Sequence, residues 1–126
     1  MSVSVKTSRL LFLNDFPQPV PSDGQTWYDR YNNLCVISCV QGAPGSVPEI
    51  ACLILGDSDT FSVDDLEEFV FAPTATDILR MLPGCALACE GELWAVFYYT
   101  YGVYASDWHE SPAEAAAQAW LACHEK

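Results

Sequence analysis

The strongest strand signal in the chain is the stretch Leu93-Trp94-Ala95-Val96-Phe97-Tyr98-Tyr99-Thr100-Tyr101. Aromatic and β-branched residues favour extended backbone because their side chains pack well on a pleated surface. An apolar run at residues 85–89 precedes this stretch, and Glu90-Gly91 between the two favours a tight turn. The sequence therefore predicts a β-hairpin over residues 85–100, with residues 103–105 as a third strand after Gly102.

Helices are predicted on both sides of this hairpin, each with a recognisable N-cap. Thr74-Ala75-Thr76-Asp77 is a capping box that begins a helix over residues 75–82, which Pro83-Gly84 ends. Ser111-Pro112-Ala113-Glu114 has the same form, with proline at the first helical position, and begins a helix over residues 112–124. That helix presents only Glu114 and Gln118 as a polar stripe, so we expect it to lie against the sheet.

The first half of the chain is predicted to be rich in β-structure. Residues 6–13 predict a short first element, and the proline-rich residues 16–24 predict a loop. Apolar runs at residues 34–40 and 49–55 predict two strands, and the turn-forming residues 41–48 between them favour an antiparallel pair. Because both runs are almost continuously apolar, we expect burial on both faces. A helical turn starting at Ser62 and a short strand at residues 68–71 follow.

These elements predict a single compact α+β domain over residues 1–126. Its antiparallel sheet carries a C-terminal α-β-β-(β)-α unit that packs helices on the sheet. We divide the domain into a β-rich half (1–56), an acidic connector (57–68) and a helix-hairpin-helix half (69–126). A chain of 126 residues with 51% hydrophobic residues is long enough to bury such a core.

The charge of the chain is strongly negative, with 17 acidic residues against five basic ones and a formal net charge of -12. Binding to nucleic acid or to an anionic membrane needs a positive field, so we expect neither. The sequence has no secretory signal and no run long enough to span a membrane, which predicts a cytoplasmic protein. All six cysteines lie in apolar runs, as buried and reduced packing residues usually do.

Half of the net charge comes from six carboxylates within twelve residues that contain no lysine or arginine: Asp57, Asp59, Asp64, Asp65, Glu67 and Glu68. A calcium loop of the EF-hand type fails here, because Phe61 and Ser62 stand where an oxygen ligand and a glycine are required. Two interpretations remain open. The run is a solvated acidic loop, or it imitates phosphates and binds the basic surface of another protein. In the second case these six residues are the contact residues.

A second candidate surface is aromatic and contains Tyr99, Tyr101, Tyr104 and Trp108. It would suit a protein contact, or it would simply close a small core; stacking of bases is poorly supported without neighbouring basic residues. The cysteine pairs Cys35/Cys39 and Cys85/Cys89 lie about 13 Å apart on their strands, too far to share a metal ion. No catalytic or cofactor motif is present, so we expect a non-enzymatic protein without a cofactor or a metal.

Residues 69–123 resemble short uncharacterised proteins that phages and prophages of gut bacteria encode. The resemblance is carried by residues 71–79, by Trp94 and by residues 111–121. Phage accessory proteins of this size include acidic inhibitors of host defence, among them anti-CRISPR proteins that mimic nucleic acid. Size, acidity and this resemblance together favour a phage-type accessory protein that binds a host protein through its acidic face, for example as an inhibitor of a host-defence nuclease in the host cytoplasm. The alternative is a structural or oligomerisation module that uses the aromatic sheet and the alanine-rich helix.

Overall fold

The computed structural model describes residues 2–42, 45, 48–54, 57–62, 65 and 68–124. It combines α-helices with antiparallel sheets, so the predicted α+β class is confirmed. The chain forms two compact units. We call Pro17–Ala72 the sheet unit, and Met1–Phe16 together with Pro73–Lys126 the helical unit. The chain is thus divided after Phe16 and after Ala72, whereas the sequence suggested divisions at residues 57 and 69. A single domain over residues 1–126 stays a prediction.

The sheet unit contains five antiparallel strands in the order β4-β3-β2-β1-β5. They are β1 (Thr26–Tyr28), β2 (Leu34–Gln41), β3 (Glu49–Ile54), β4 (Asp57–Ser62) and β5 (Val70–Phe71). The predicted antiparallel pair is confirmed as β2 and β3, whose register shifts between Ile37 and Cys39. The short strand predicted before Pro73 is confirmed as β5, which pairs with β1.

Only one face of this sheet is buried, so the prediction of burial on both faces is wrong. Trp27, Cys35, Ile37, Ile50 and Cys52 lie on the covered face and are at most 3% exposed. On the other face, Leu34, Val36 and Leu53 remain 38–43% exposed. Successive side chains of a strand point to opposite faces, so an apolar run alone does not show that both faces are covered.

The acidic connector predicted at residues 57–68 begins as a strand, so its first half is not the loop that one interpretation of the sequence suggested. Residues Asp57–Ser62 are β4, and each of them pairs with a residue of β3. Polar residues suit this position because an edge strand has one side open to water. The predicted helical turn starts at Ser62, which is the last residue of β4. Residues 63, 64, 66 and 67 lie outside the described part of the chain.

The helical unit confirms the hairpin and both predicted helices, although the first of them ends at Leu79 and not at residue 82. It consists of α1 (Val5–Leu13), α2 (Ala75–Leu79), the sheet β6 (Cys85–Glu90), β7 (Leu93–Tyr98) and β8 (Val103–Tyr104), and α3 (Pro112–His124). The hairpin turn contains Gly91 at a φ of 63°, a conformation that favours glycine. The capping box of Thr74 and Asp77 is complete.

The core of the helical unit is the alanine-rich helix α3. Ala113, Ala115, Ala116, Ala117 and Ala119 are all 0% exposed. Because these side chains are small, α1, α2 and β7 can approach α3 closely. The predicted packing of the C-terminal helix on the sheet is confirmed.

Candidate functional site

The acidic cleft is a cavity of about 460 Å³ in the sheet unit. It lies between the β1–β2 loop, β4 and the segment that leads to β5. Its polar lining contains four carboxylates and one guanidinium, and its apolar lining is mainly aromatic: Asp29, Asp59, Asp65, Glu68 and Arg30, with Tyr31, Ile54, Phe61 and Phe69. The distant β1–β2 loop therefore brings Asp29 beside the acidic residues of β4 and of the segment before β5.

Asp29 is the acidic residue of the cleft that the sequence analysis missed. Its carboxylate Oδ1 accepts hydrogen bonds from the backbone N–H groups of Tyr31 (2.8 Å) and Asn33 (2.9 Å). Asn32, between these donors, adopts a φ of 66° in the left-handed region. An aspartate before asparagines and between two strands is a recognisable turn signal, so the loop could have been predicted. Its position beside the acidic run could not.

Arg30 shows which contacts a cation makes in the acidic cleft. Its Nη1 lies 3.3 Å from Oε1 of Glu68, and its guanidinium carbon lies 5.1 Å from the centre of the Tyr31 ring. Both ion-pair side chains are about half exposed, so the pair adds little to folding stability. The cleft nevertheless offers a cation both a carboxylate and an aromatic face, the two groups that bind guanidinium and ammonium best.

Strand β4 supplies one wall of the cleft through Asp59 and Phe61. The β3–β4 register places Asp59 opposite Cys52 and Phe61 opposite Ile50, so both side chains lie on the covered face of the sheet. The Phe61 ring stacks on Phe69 with the ring centres 4.6 Å apart. An apolar wall beside carboxylates suits a lysine or arginine, whose aliphatic stem packs while its charged end pairs.

The electric field of the sheet unit is negative, because its sequence contains nine carboxylates and one arginine. Burial, with a smaller contribution from the nearby Asp29 carboxylate, raises the pKa of the Cys35 thiol to about 12. Burial also raises the pKa of Cys52, with a smaller contribution from Asp59. Both thiols therefore stay protonated at neutral pH and are poor nucleophiles. Among the described residues, no group of three or more His, Cys, Asp or Glu side chains is placed to hold a metal ion.

The six predicted acidic contact residues have three different locations. Asp59, Asp65 and Glu68 line the acidic cleft. Asp57 begins β4 and is exposed outside the cleft lining. Asp64 and Glu67 lie outside the described residues.

The four predicted aromatic residues fall into separate groups in the helical unit. The Tyr104 ring lies 5.3 Å from Trp108 and 5.1 Å from Phe97. Tyr101 lies 6.2 Å from Tyr98, and Tyr99 is 62% exposed. Phe97 and Tyr98 are successive residues of β7, so their side chains point to opposite faces and divide the aromatic residues between them.

Two cysteines of the helical unit contradict the prediction of burial. Cys89 and Cys123 are exposed, whereas Cys35 and Cys52 are buried as expected. The thiol of Cys123 lies 3.1 Å from the hydroxyl of Tyr98. Cys89 lies near the end of β6 and Cys123 near the end of α3. At these ends the apolar run of the sequence continues beyond the residues that are buried.

A second cavity, of about 410 Å³, lies in the helical unit beside His109, Glu114 and Gln118. Its polar groups are bonded to one another. Oε1 of Gln118 accepts from Nε2 of His109 at 2.6 Å, and Oε2 of Glu114 accepts from the Thr7 hydroxyl at 2.6 Å. Glu114 and Gln118 therefore do not form the solvent-facing stripe that the sequence predicted. They join α3 to its neighbours.

Comparisons with protein-family models, with curated proteins and with solved structures found no match. Within the described residues, no helix has both the length and the apolar character needed to cross a membrane. The function therefore has to be argued from the acidic cleft itself.

Proposed function

We propose that this protein is a non-enzymatic binding protein whose acidic cleft takes basic side chains of a partner protein. The observation that carries the proposal is the convergence of Asp29, Asp59, Asp65 and Glu68 around one cavity with aromatic walls. Carboxylates beside apolar walls bind lysine and arginine, and the surrounding negative charge speeds the approach of a basic surface.

An inhibitor of a host-defence nuclease is the particular form of this function that we propose. A nuclease binds the phosphates of nucleic acid in a cationic groove, and carboxylates presented on a folded surface can occupy such a groove. The resemblance of residues 69–123 to phage-encoded proteins supports this form. Such an inhibitor would act in the cytoplasm of the host cell.

The test compares two triple variants with the same change in charge. The cleft variant carries Asp59→Lys, Asp65→Lys and Glu68→Lys, and the control variant carries Asp23→Lys, Glu49→Lys and Glu92→Lys at exposed positions outside the cleft. Each protein is used to capture partners from a lysate of the bacterial host at low and at high salt. We expect the cleft variant to bind the captured partner at least roughly tenfold more weakly than the control variant, because close charge pairs are lost.

High salt should release the partner from the unmodified protein, since salt screens the attraction between exposed charges. Circular dichroism of both variants checks that the fold is kept. Equal binding by the cleft variant and the control variant would show that the cleft is not the binding site.

An oligomerisation module is the second candidate, and the exposed aromatic residues favour it. Tyr99, Tyr101 and Tyr104 are 62%, 77% and 55% exposed in the helical unit. The alanine-rich helix is not available for this role, because its alanines are buried within the unit. Light scattering of the same samples distinguishes the candidates, since an aromatic contact would give an oligomer that high salt does not dissociate.

A further inference from the structure

The outer edge of β4 indicates in which conformation a partner would bind beside the acidic cleft. In the sheet order β4-β3-β2-β1-β5, β4 is a terminal strand. On the described part of the chain, β3 is the strand that pairs with it. An edge strand presents backbone N–H and C=O groups that can pair with a strand of another chain.

The direction of these backbone groups can be followed across the sheet. The N–H and C=O of Ile37 both bond to residues on the β1 side, each at 2.9 Å. Neighbouring residues of a strand direct these groups to opposite edges, so Val36 bonds to β3, where it lies opposite Leu53. One residue along β3, Cys52 then faces β4, where it lies opposite Asp59. Asp59 therefore pairs inward.

It follows that Ser58 and Thr60, which flank Asp59, direct their backbone groups to the outer edge. The hydrogen bonding of Thr60 agrees with this: its N–H donates to Oδ1 of Asp59 at 2.8 Å. A side chain of the same strand thus occupies a donor that a neighbouring strand would otherwise use. An added strand would form backbone hydrogen bonds with Ser58 and Thr60.

Charge indicates which kind of strand fits this edge. Asp57, Asp59 and Phe61 share one face of β4, the face that borders the acidic cleft. A second copy of β4 would bring two sets of aspartates together, and like charges directly opposite each other are destabilising. A strand with basic residues at every second position would instead place them beside these aspartates.

We propose that the partner of the acidic cleft is an extended protein segment that adds to β4 as a further strand, with basic side chains at alternate positions facing the cleft. This inference rests on the proposed function and gives its binding mode. A carbonyl oxygen of the added strand replaces Asp59 at the N–H of Thr60. The Asp59 carboxylate is then free to pair with a basic side chain, so strand addition and charge pairing favour each other.

The first test uses short synthetic peptides and the unmodified protein, with binding measured by calorimetry at low salt. In the first peptide lysine alternates with threonine. The second has the same sequence with alternate backbone nitrogens methylated, which removes hydrogen-bond donors and keeps the charge. The third has glutamate in place of lysine. We expect the first peptide to bind and the methylated one to bind roughly tenfold more weakly, because it loses backbone hydrogen bonds. The glutamate peptide should not bind.

The second test changes the protein and keeps the first peptide. Thr60→Pro removes the outward N–H and leaves the hydrogen bonds to β3, and proline is tolerated at such an edge position. Thr60→Ala removes the same side chain and keeps the N–H, so it is the matched control. We expect roughly a tenfold loss of affinity for Thr60→Pro and less than about a twofold change for Thr60→Ala.

The outcomes separate this inference from the function on which it rests. If the methylated peptide binds as tightly as the first one, strand addition is wrong and the cationic binding function stands. If the lysine peptides bind no better than the glutamate peptide, both proposals fail. A third variant, Asp59→Ala, tests whether Asp59 pairs with lysine or only protects the edge. If Asp59 pairs with lysine, the variant should bind the first peptide more weakly than the unmodified protein does. Tighter binding would mean that Asp59 only protects the edge, and would contradict the proposed pairing.

Discussion

The two units of this protein use their carboxylates in different ways. In the helical unit, Asp77 completes the capping box of α2, and Glu114 accepts hydrogen bonds from the backbone N–H of Ser4 (2.7 Å) and from Thr7. These carboxylates hold one element to another. In the sheet unit, Asp59 and Glu68 converge with two further carboxylates on a cleft whose lining contains a single guanidinium. Grouping them there adds repulsion that folding does not require.

The packing of the two units also differs. The helical unit surrounds α3 with other elements, whereas the sheet unit leaves one apolar face of its sheet partly exposed. A structure that contributes to stability buries its apolar surface and pairs its polar groups. We infer that changes in the helical unit mainly lower stability, and that changes around the cleft mainly lower binding. The following predictions test this contrast.

The largest loss of stability is expected for Trp120→Ala in α3. Trp120 is 3% exposed, meets the Phe16 ring edge-on at 5.1 Å and stacks on His124 at 4.1 Å. Its removal leaves a large cavity and should lower the free energy of unfolding by about 3–5 kcal/mol. Leu53→Ala, on the exposed sheet face, should cost less than about 1 kcal/mol. Urea denaturation measures both, and equal losses would contradict the contrast.

A smaller loss is expected for Glu114→Ala. The Glu114 carboxylate binds the N-terminus of α1 through two short hydrogen bonds. Its loss leaves two donors without this partner and should lower the free energy of unfolding by about 1–2 kcal/mol. Glu110→Ala removes an exposed carboxylate of the neighbouring loop and is the matched control, with an expected change within about 0.5 kcal/mol. The contact between α1 and α3 would be unimportant if both variants were equally stable.

The fold was largely predictable where local signals are strong. The capping box at Thr74, the N-cap at Ser111 and the turn at Gly91 fix where elements begin and end, because their chemistry is set by a few adjacent residues. Strand β4 was not predicted because it begins with Asp57, Ser58 and Asp59, and aspartate has low intrinsic strand preference. The strand conformation of this segment comes from pairing with β3. That contact joins two elements, so the sequence of the segment alone contains no pattern that predicts it.

The acidic cleft was predictable only in part for a related reason. Asp59, Asp65 and Glu68 are close in sequence, so their charge pattern was visible. Asp29 enters the cleft because β1 returns to pair with β5, some forty residues later in the chain. This contact between distant segments depends on the order of the strands in the sheet, which local sequence patterns do not give. The open edge of β4 likewise depends on the order of the strands, which the spacing of residues does not give.

The smallest effect that we predict concerns Cys35, a buried thiol of the sheet unit. Burial, with a contribution from Asp29, raises its pKa from 9.0 to about 12. The unfolded chain therefore releases this proton at lower pH than the folded chain does. The stability that comes from keeping the thiol neutral is complete well below pH 9 and is lost progressively as the pH rises through 9 towards 12.

Removing the thiol should therefore flatten the pH dependence of stability. Between about pH 7 and about pH 9, Cys35→Ala should lose about 0.4 kcal/mol less stability than the unmodified protein, because half of the unfolded thiols are ionised at the upper pH. Ile37→Ala also removes a buried side chain from β2 and contains no titrating group, so it should keep the original pH dependence. Urea denaturation of the three proteins at both pH values measures the difference. An unchanged slope in Cys35→Ala would mean that the thiol near the acidic cleft is more accessible to water than its burial indicates.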